Sequence, residues 1–133
     1  MTTAYTFVPS PNHIYPDHPE RPARLDILEP RLRSFSAELI ETKPATYQEI
    51  EYVHAPQLVA ALEKACRDDA PGIIDYAPTY ITKTSFEDAL LAAGGVITCT
   101  RAVLNGEANN AFALVRPPGH HAVRDEGDPG RDR

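Results

Sequence analysis

The stretch that most constrains this chain is Ala111–Ala122, AFALVRPPGHHA. Its first five residues, Ala111 to Val115, are apolar and hold neither a charge nor a turn former. An apolar run of this length, bounded by Pro and Gly, reads as a strand covered on both faces, as in parallel sheets. The run ends at Arg116 and Pro117-Pro118-Gly119, then delivers two adjacent histidines, His120 and His121. In open α/β sheets the chemistry lies just beyond the carboxyl ends of the strands. Imidazole titrates nearer neutrality than any other unperturbed side chain. The position is therefore site-shaped.

The residues upstream supply the rest of an α/β pattern. Thr3–Val8 is rich in β-branched and aromatic residues and reads as a first strand, stopped by Pro9-Ser10-Pro11-Asn12. His13–Arg21 is a shaped loop, because Pro16 and Pro19 exclude helix and regular strand. It carries His13, Asp17, His18 and Glu20, which are metal-ligand types. Short patterns of this kind are weak, and local hydrogen bonding is the commoner role of a loop histidine. Pro22 suits the first position of a helix. Leu25, Leu28, Leu32 and Phe35 then fall on one apolar stripe, interrupted by Pro30, which predicts a kink or two short helices.

Thr46-Tyr47-Gln48-Glu49 has the form of a capping box and opens a short helix to about Val53. Pro56 starts a second helix, with Leu58, Val59, Leu62 and Cys66 on its buried face. His54, in the turn between them, reads as a polar residue satisfying a helix end. Asp68 to Lys83 has no regular pattern, but Ile73-Ile74-Asp75-Tyr76 is too apolar for a disordered linker. An ordered loop is expected there, with Asp75 as its conspicuous polar group. Thr84-Ser85-Phe86-Glu87 is a second capping box and starts a helix over Ser85–Leu104. Phe86, Ala89, Leu90, Ala93, Ile97 and Leu104 mark its buried side. Gly94-Gly95 disfavours a helix by on the order of 1 kcal/mol per residue against Ala, so the pair predicts close approach to a sheet or a neighbouring helix. Asn105-Gly106 is a helix stop.

Strand, helices, long helix, buried strand is an α/β order. At 133 residues the chain is one domain by length and buries roughly two-thirds of its extended surface. Residues 123–133 hold one apolar residue among Arg, acids, Gly and Pro, and read as a disordered tail after a folded part at residues 1–122. A net charge of −6 and no basic run argue against nucleic acid as a partner. Cys66 and Cys99 lack metal-type spacing and read as buried reduced thiols. No signal peptide and no apolar run of membrane-spanning length is visible, so the expected setting is cytoplasmic, with no membrane partner.

Two adjacent imidazoles point to opposite faces of a regular strand. After Pro-Pro-Gly the backbone need not be regular, and Gly119 tolerates unusual dihedrals, so both rings can reach one pocket. Such a pair suits general acid–base work. It suits metal ligation less well, because a zinc site wants three or four ligands and nothing local supplies the rest. A structural role for the pair stays open on the residues alone.

Arg116-Pro117-Pro118-Gly119-His120-His121-Ala122 resembles the signature loop of the zinc-dependent histone deacetylase superfamily, which includes acetoin-utilisation proteins and acetylpolyamine amidohydrolases. His18-Pro19-Glu20-Arg21-Pro22-Ala23-Arg24-Leu25 resembles the family's entry to its first helix. Val53-His54 and the helix through Ala92-Ala93-Gly94-Gly95 fall in family order, so the resemblance spans Tyr5–Glu126. It implies an arginase/deacetylase-like three-layer α/β fold with a central parallel sheet, and zinc-dependent hydrolysis of acetyl-lysine or another acetylated amine. By that resemblance His121 is the general base and then acid, and His120 its electrostatic partner. Asp75 and Gly119 are the substrate-binding positions it implies.

Family members continue after this loop with a Gly-Phe-Cys strand, an Asp-x-His zinc-ligand pair, a later Asp and a Gly-Gly-Tyr loop. None of these is within the 133 residues. The expectation is therefore an N-terminal part of a deacetylase domain, truncated before its zinc ligands, binding no metal and inactive alone. Its last strand would have an unpaired edge, which predicts poor independent stability or self-association. The alternative is a non-catalytic module that pairs with another chain. A third reading, a small metal-binding protein using His13, His18, His120 and His121, requires two distant loops to converge.

Overall fold

The computed structural model describes residues 1–127. In chain order its elements are β1 (Thr3–Val8), α1 (Ala23–Asp26), α2 (Glu29–Ser34), β2 (Glu38–Leu39), α3 (Tyr47–Glu51), α4 (Pro56–Asp68), β3 (Gly72–Ile73), β4 (Tyr80–Ile81), α5 (Ser85–Leu104) and β5 (Asn110–Val115). The order β2-β1-β5 makes a parallel three-stranded sheet, and β3 with β4 makes a small antiparallel hairpin. The fold is α/β, as the element order predicts.

Each strand junction follows from its residues. β1 runs in register with β5 from Thr3↔Asn110 to Val8↔Val115. Side chains alternate along a strand, so Ala4, Thr6 and Val8 share a face with Ala111, Ala113 and Val115. That face meets α5. Thr6 donates through Oγ1 to the Gly95 carbonyl at 3.1 Å. A Cβ on Gly95 would lie 2.8 Å from Val115 Cγ1, and one on Gly94 would lie 1.8 Å from the Lys43 carbonyl oxygen. The glycine pair thus lets the helix backbone touch the sheet on one side and the 43–45 segment on the other. Ala45 N–H donates to the Leu90 carbonyl at 2.8 Å, which ties that segment to α5.

On the opposite face, Tyr5 is fully buried and its hydroxyl donates to Glu29 Oε1 at 2.8 Å. Beyond that contact the face is unevenly covered, with Leu114 of β5 buried. Phe112 of β5 is 53% exposed, and among the described residues β5 pairs with β1 alone. The expectation of a strand covered on both faces is therefore met on the far side at Leu114, 4% exposed, and not at Phe112.

The helices differ from expectation in instructive ways. Around Pro30 there are two short helices, with Pro30 inside the first turn of α2, where its missing N–H breaks no bond. The apolar stripe on them is mostly open: Leu25 is buried, but Phe35 is 76% exposed. The capping box at Thr46 forms, with Glu49 N–H donating to Thr46 Oγ1 and Thr46 N–H to Glu49 Oε1. The one expected at Thr84 does not. Thr84 Oγ1 donates instead to Asp88 Oδ2 at 2.8 Å, and Ser85 Oγ accepts the Thr82 N–H at 2.7 Å. α5 has the predicted limits and buries Phe86 as predicted, but farther along its buried face differs from the predicted one. Its small residues Ala92, Gly95, Cys99 and Ala102 are buried, whereas Leu104 is exposed. Where α5 crosses the sheet, close backbone approach selects small side chains on its inner face. A second apolar cluster joins α4 to the N-terminal part of α5 through Val59, Cys66, Ala70, Ile81 and Phe86.

Candidate functional site

Beyond the carboxyl end of β5 the chain enters a buried polar hub centred on Arg116, which is 1% exposed. A cation that deep is tolerated only when paired and fully hydrogen-bonded. Arg116 Nε donates to Glu20 Oε1 at 3.0 Å and Nη2 to Glu20 Oε2 at 2.8 Å, a two-point fork on one carboxylate. Its remaining N–H groups reach the carbonyls of Pro9 and Ser10 (through Nη1) and His13 (through Nη2). Ser10 Oγ returns a bond to the Arg116 carbonyl at 2.7 Å. Tyr80 on β4 completes the hub, its hydroxyl 3.0 Å from the His13 carbonyl and 3.1 Å from Glu20 Oε2. His13 stacks on the Tyr80 ring with centroids 4.3 Å apart and places Nδ1 2.6 Å from Ser85 Oγ at the start of α5.

The hub explains the shaped 9–21 loop. Its four prolines deny it regular backbone pairing, and the guanidinium collects carbonyls of its first half. Burial acts to raise the Glu20 pKa, but the Arg116 hydrogen bonds and charge outweigh it and hold the carboxyl below its ordinary range. Burial pushes the His13 pKa down, only partly offset by Glu20. Burial, reinforced by Glu20, pushes Tyr80 up. At neutral pH the hub is one carboxylate, one guanidinium, a neutral imidazole and a phenol.

Four residues on, His120 and His121 sit in an exposed turn closed by the Ala122 N–H donating to the Gly119 carbonyl at 3.0 Å. Their rings meet edge to face, with centroids 4.3 Å apart and planes at 82°. The two rings are in contact, and no unusual glycine brings them there. Gly119 has no left-handed φ, and a Cβ there would meet no atom within 4 Å. The rings line neither the open recess of about 500 Å³ around Asp17, His18 and Arg21 nor the groove of about 260 Å³ between the 40–45 segment and α5.

The other candidates are spread around this centre. Asp75 is half-buried at the tip of the β3–β4 hairpin, where Oδ1 accepts the N–H groups of Ala77 at 2.9 Å and Thr79 at 2.7 Å. It holds its own loop in shape, and Tyr76 beside it is fully exposed. His18 bonds locally, accepting the Glu20 N–H on Nδ1, and donates from Nε2 to the Pro78 carbonyl. Sequence reasoning missed the Arg116–Glu20–Tyr80 hub. The signal was present: a Glu in one Pro-rich loop and an Arg closing a buried strand are both costly to bury alone. Their pairing across 96 positions of sequence was not legible.

Among the described residues, no group of three or more His, Cys, Asp or Glu side chains could hold a metal ion. A zinc site takes three or four such ligands, so the described residues do not fit zinc. His13 and His18 belong to the Tyr80 side of the hub and do not join the His120–His121 pair in such a group.

The expected tail begins with contacts. Val123 and Arg124 offer their carbonyls to His54 Nδ1 and Ala55 N–H at 2.9 and 2.8 Å. Residues 128–133 of that tail lie outside the described residues.

Comparison with known proteins places this geometry. A family model for the histone deacetylase domain matches residues 18–129. A probable deacetylase of Archaeoglobus fulgidus is 44% identical over 113 residues, covering 80% of this chain and 31% of its own length. Histone deacetylase 14, chloroplastic, of Arabidopsis thaliana is 36% identical over 84% of this chain and 31% of its own. Polyamine deacetylase HDAC10 of Rattus norvegicus is 35% identical over 80% of this chain and 19% of its own. The chain thus spans about a third or less of the length of these relatives. The solved HDA15 HD domain superposes with a TM-score of 0.82 at 29% identity, over 96% of this chain and 38% of that one. The sheet with its hub and paired imidazoles is therefore the deacetylase-like α/β fold, and the chain belongs to the histone deacetylase domain family.

Proposed function

We propose that the His120–His121 turn is the acid–base part of an amide-hydrolysing site for acetyl-lysine or other acetylated amines. The observation that carries it is two imidazoles in ring contact beyond the carboxyl end of β5, inside the segment that matches the family. His121 takes the proton of the attacking water and returns one to the leaving amine. His120 stabilises the charge and orients the water. Asp75 and Gly119 flank the substrate.

By themselves the 133 residues are proposed to be inactive. Deacetylases of this family are zinc-dependent in general, and the described residues do not fit that ion. General acid–base help contributes about 10²–10⁴-fold, against the ~10⁶-fold or more that enzymes supply. The deficit is too large for the pair to make up alone. The proposed setting is cytoplasmic. No helix among the described residues is long and apolar enough to cross a membrane, and the net charge of −6 disfavours nucleic acid. The test is equilibrium dialysis of the purified chain against zinc, with hydrolysis of an acetyl-lysine peptide measured in parallel. No stoichiometric zinc and no turnover are expected. Stoichiometric zinc with turnover abolished by His121→Ala would overturn the inactivity.

A second reading is supported by the open β5 edge and by Phe112, 53% exposed beside it. Unpaired edges with apolar neighbours recruit further strands, so the chain is proposed to associate with itself or to pair with another chain there. Sedimentation at micromolar concentration should show species heavier than 14.6 kDa. A monomer that unfolds cooperatively would count against it.

A further inference from the structure

The acid–base turn is held at both ends, and the second holder has no role in the function as so far described. On the near side, Arg116 is locked in the hub, and Pro117-Pro118 transmit that position with two fixed φ angles. On the far side, Val123 and Arg124 are held by consecutive residues of the α3–α4 turn. His54 Nδ1 donates to the Val123 carbonyl at 2.9 Å, and Ala55 N–H donates to the Arg124 carbonyl at 2.8 Å. Val123 N–H closes a further turn onto the Glu126 carbonyl at 3.0 Å.

The helix-end role expected of His54 is absent. The cap residue of α4 is Ala55, with no side-chain cap, and the His54 ring bonds a carbonyl 69 residues away. We propose that His54 is a positioning residue for His121, acting through Val123. It fixes the carbonyl two residues beyond the imidazole and so the path of the turn that presents both rings. This rests on His120 and His121 being the acid–base pair, although its test does not use turnover. The chemistry of the residue fits the task. Nδ1–H of an imidazole is a donor able to reach a carbonyl oxygen. Asn can place an amide N–H close to the same point, whereas Ala cannot.

The experiment is amide hydrogen exchange and ring-proton NOE measurement by NMR on the full 133-residue chain, comparing wild type, His54→Ala and His54→Asn. His54→Ala is expected to speed exchange at Ala55 and Ala122 about fivefold, the effect of one lost hydrogen bond. It should also weaken the NOE between the His120 and His121 rings. Protection in the middle of α4 and α5 should be unchanged, and His54→Asn should restore the Ala55 and Ala122 values. A helix-end role would instead speed exchange at Leu58 and Val59, the first amides of α4, and spare Ala122. That pattern, unchanged exchange in His54→Ala, or failure of His54→Asn to rescue would each overturn the proposal. Because no turnover is measured, success here with an inactive His121 in a complete domain would fault the acid–base reading and leave the positioning role intact.

Discussion

Replacing Arg116 by Met separates the hub from ordinary packing. The methionine fills much of the aliphatic volume but supplies no donor. Glu20, whose side chain is 14% exposed, then loses both of its bonds to the guanidinium, at 3.0 and 2.8 Å. The Pro9 carbonyl loses its Arg116 donor, while the Ser10 and His13 carbonyls each keep one bond, from the His13 N–H and the Tyr80 hydroxyl. Breaking a buried ion pair by removing one partner destabilises by about 3–5 kcal/mol, chiefly through the charge left behind. Water entering from the exposed 9–21 loop relieves part of this, so ~4 kcal/mol is expected in all. Glu20→Gln keeps the shape and removes the charge, and should lose about 2 kcal/mol. If the penalty is mainly a carboxylate left with only Arg24 and Tyr80 as partners, Arg116→Met with Glu20→Gln should be less unstable than the sum of the two. The expected coupling is on the order of 2 kcal/mol. Urea unfolding followed by circular dichroism at pH 7 reads all four corners of the cycle. A loss below about 1 kcal/mol in Arg116→Met, or strict additivity, would refute the hub as the anchor of the loop.

Gly94→Ala tests the close approach from the other side of the sheet. Its Cβ would lie 1.8 Å from the Lys43 carbonyl oxygen and 2.8 Å from Ala45 N, so backbone must move. Overpacking of about 1–3 kcal/mol or more should outweigh the ~1 kcal/mol helix preference for Ala, and a lowered urea midpoint checks it. Acid should also loosen the hub. Glu20 has a folded pKa below its unfolded value, so its contribution is full above pH ~4.3 and is lost as pH falls through the folded pKa. His13, also depressed, contributes fully above pH ~6.5 and less as pH falls through its folded pKa. Unfolding free energy measured from pH 7 downward should therefore begin to fall near 6.5 and fall further below about 4.3. The shallower decline near 6.5 should vanish in a variant that lacks His13.

Much of the site was legible because it is local. The β5 run, the Pro-Pro-Gly break and the paired imidazoles lie within twelve residues, and the ring contact follows from adjacency. Gly94-Gly95 signalled a close approach correctly, since little else justifies two glycines inside a 20-residue helix. What escaped depends on partners distant in sequence. Thr84 has the letters of a capping box, but Asp88 and the Thr82–Ser85 pair compete for the same groups. The face of α5 was misread because periodicity ranks residues by hydrophobicity, whereas contact with the sheet selected small ones. Glu38–Leu39 is too short a strand for any pattern to show, and only its pairing with Ala4 and Tyr5 of β1 defines it. Arg116 with Glu20 and His54 with Val123 join loops 96 and 69 residues apart, which only the fold brings together.

The most direct measurement concerns His121 in a complete site. The matched segment of the Archaeoglobus fulgidus relative, 44% identical over 113 residues, can be replaced by the corresponding residues of this chain. The chimera is then assayed for acetyl-lysine hydrolysis with His121 and with His121→Ala. The chimera should fold, turn over substrate, and lose about 10²–10⁴-fold in kcat on His121→Ala. A folded, active chimera indifferent to the loss of His121 would contradict the assignment of the His120–His121 turn as the acid–base part of the site.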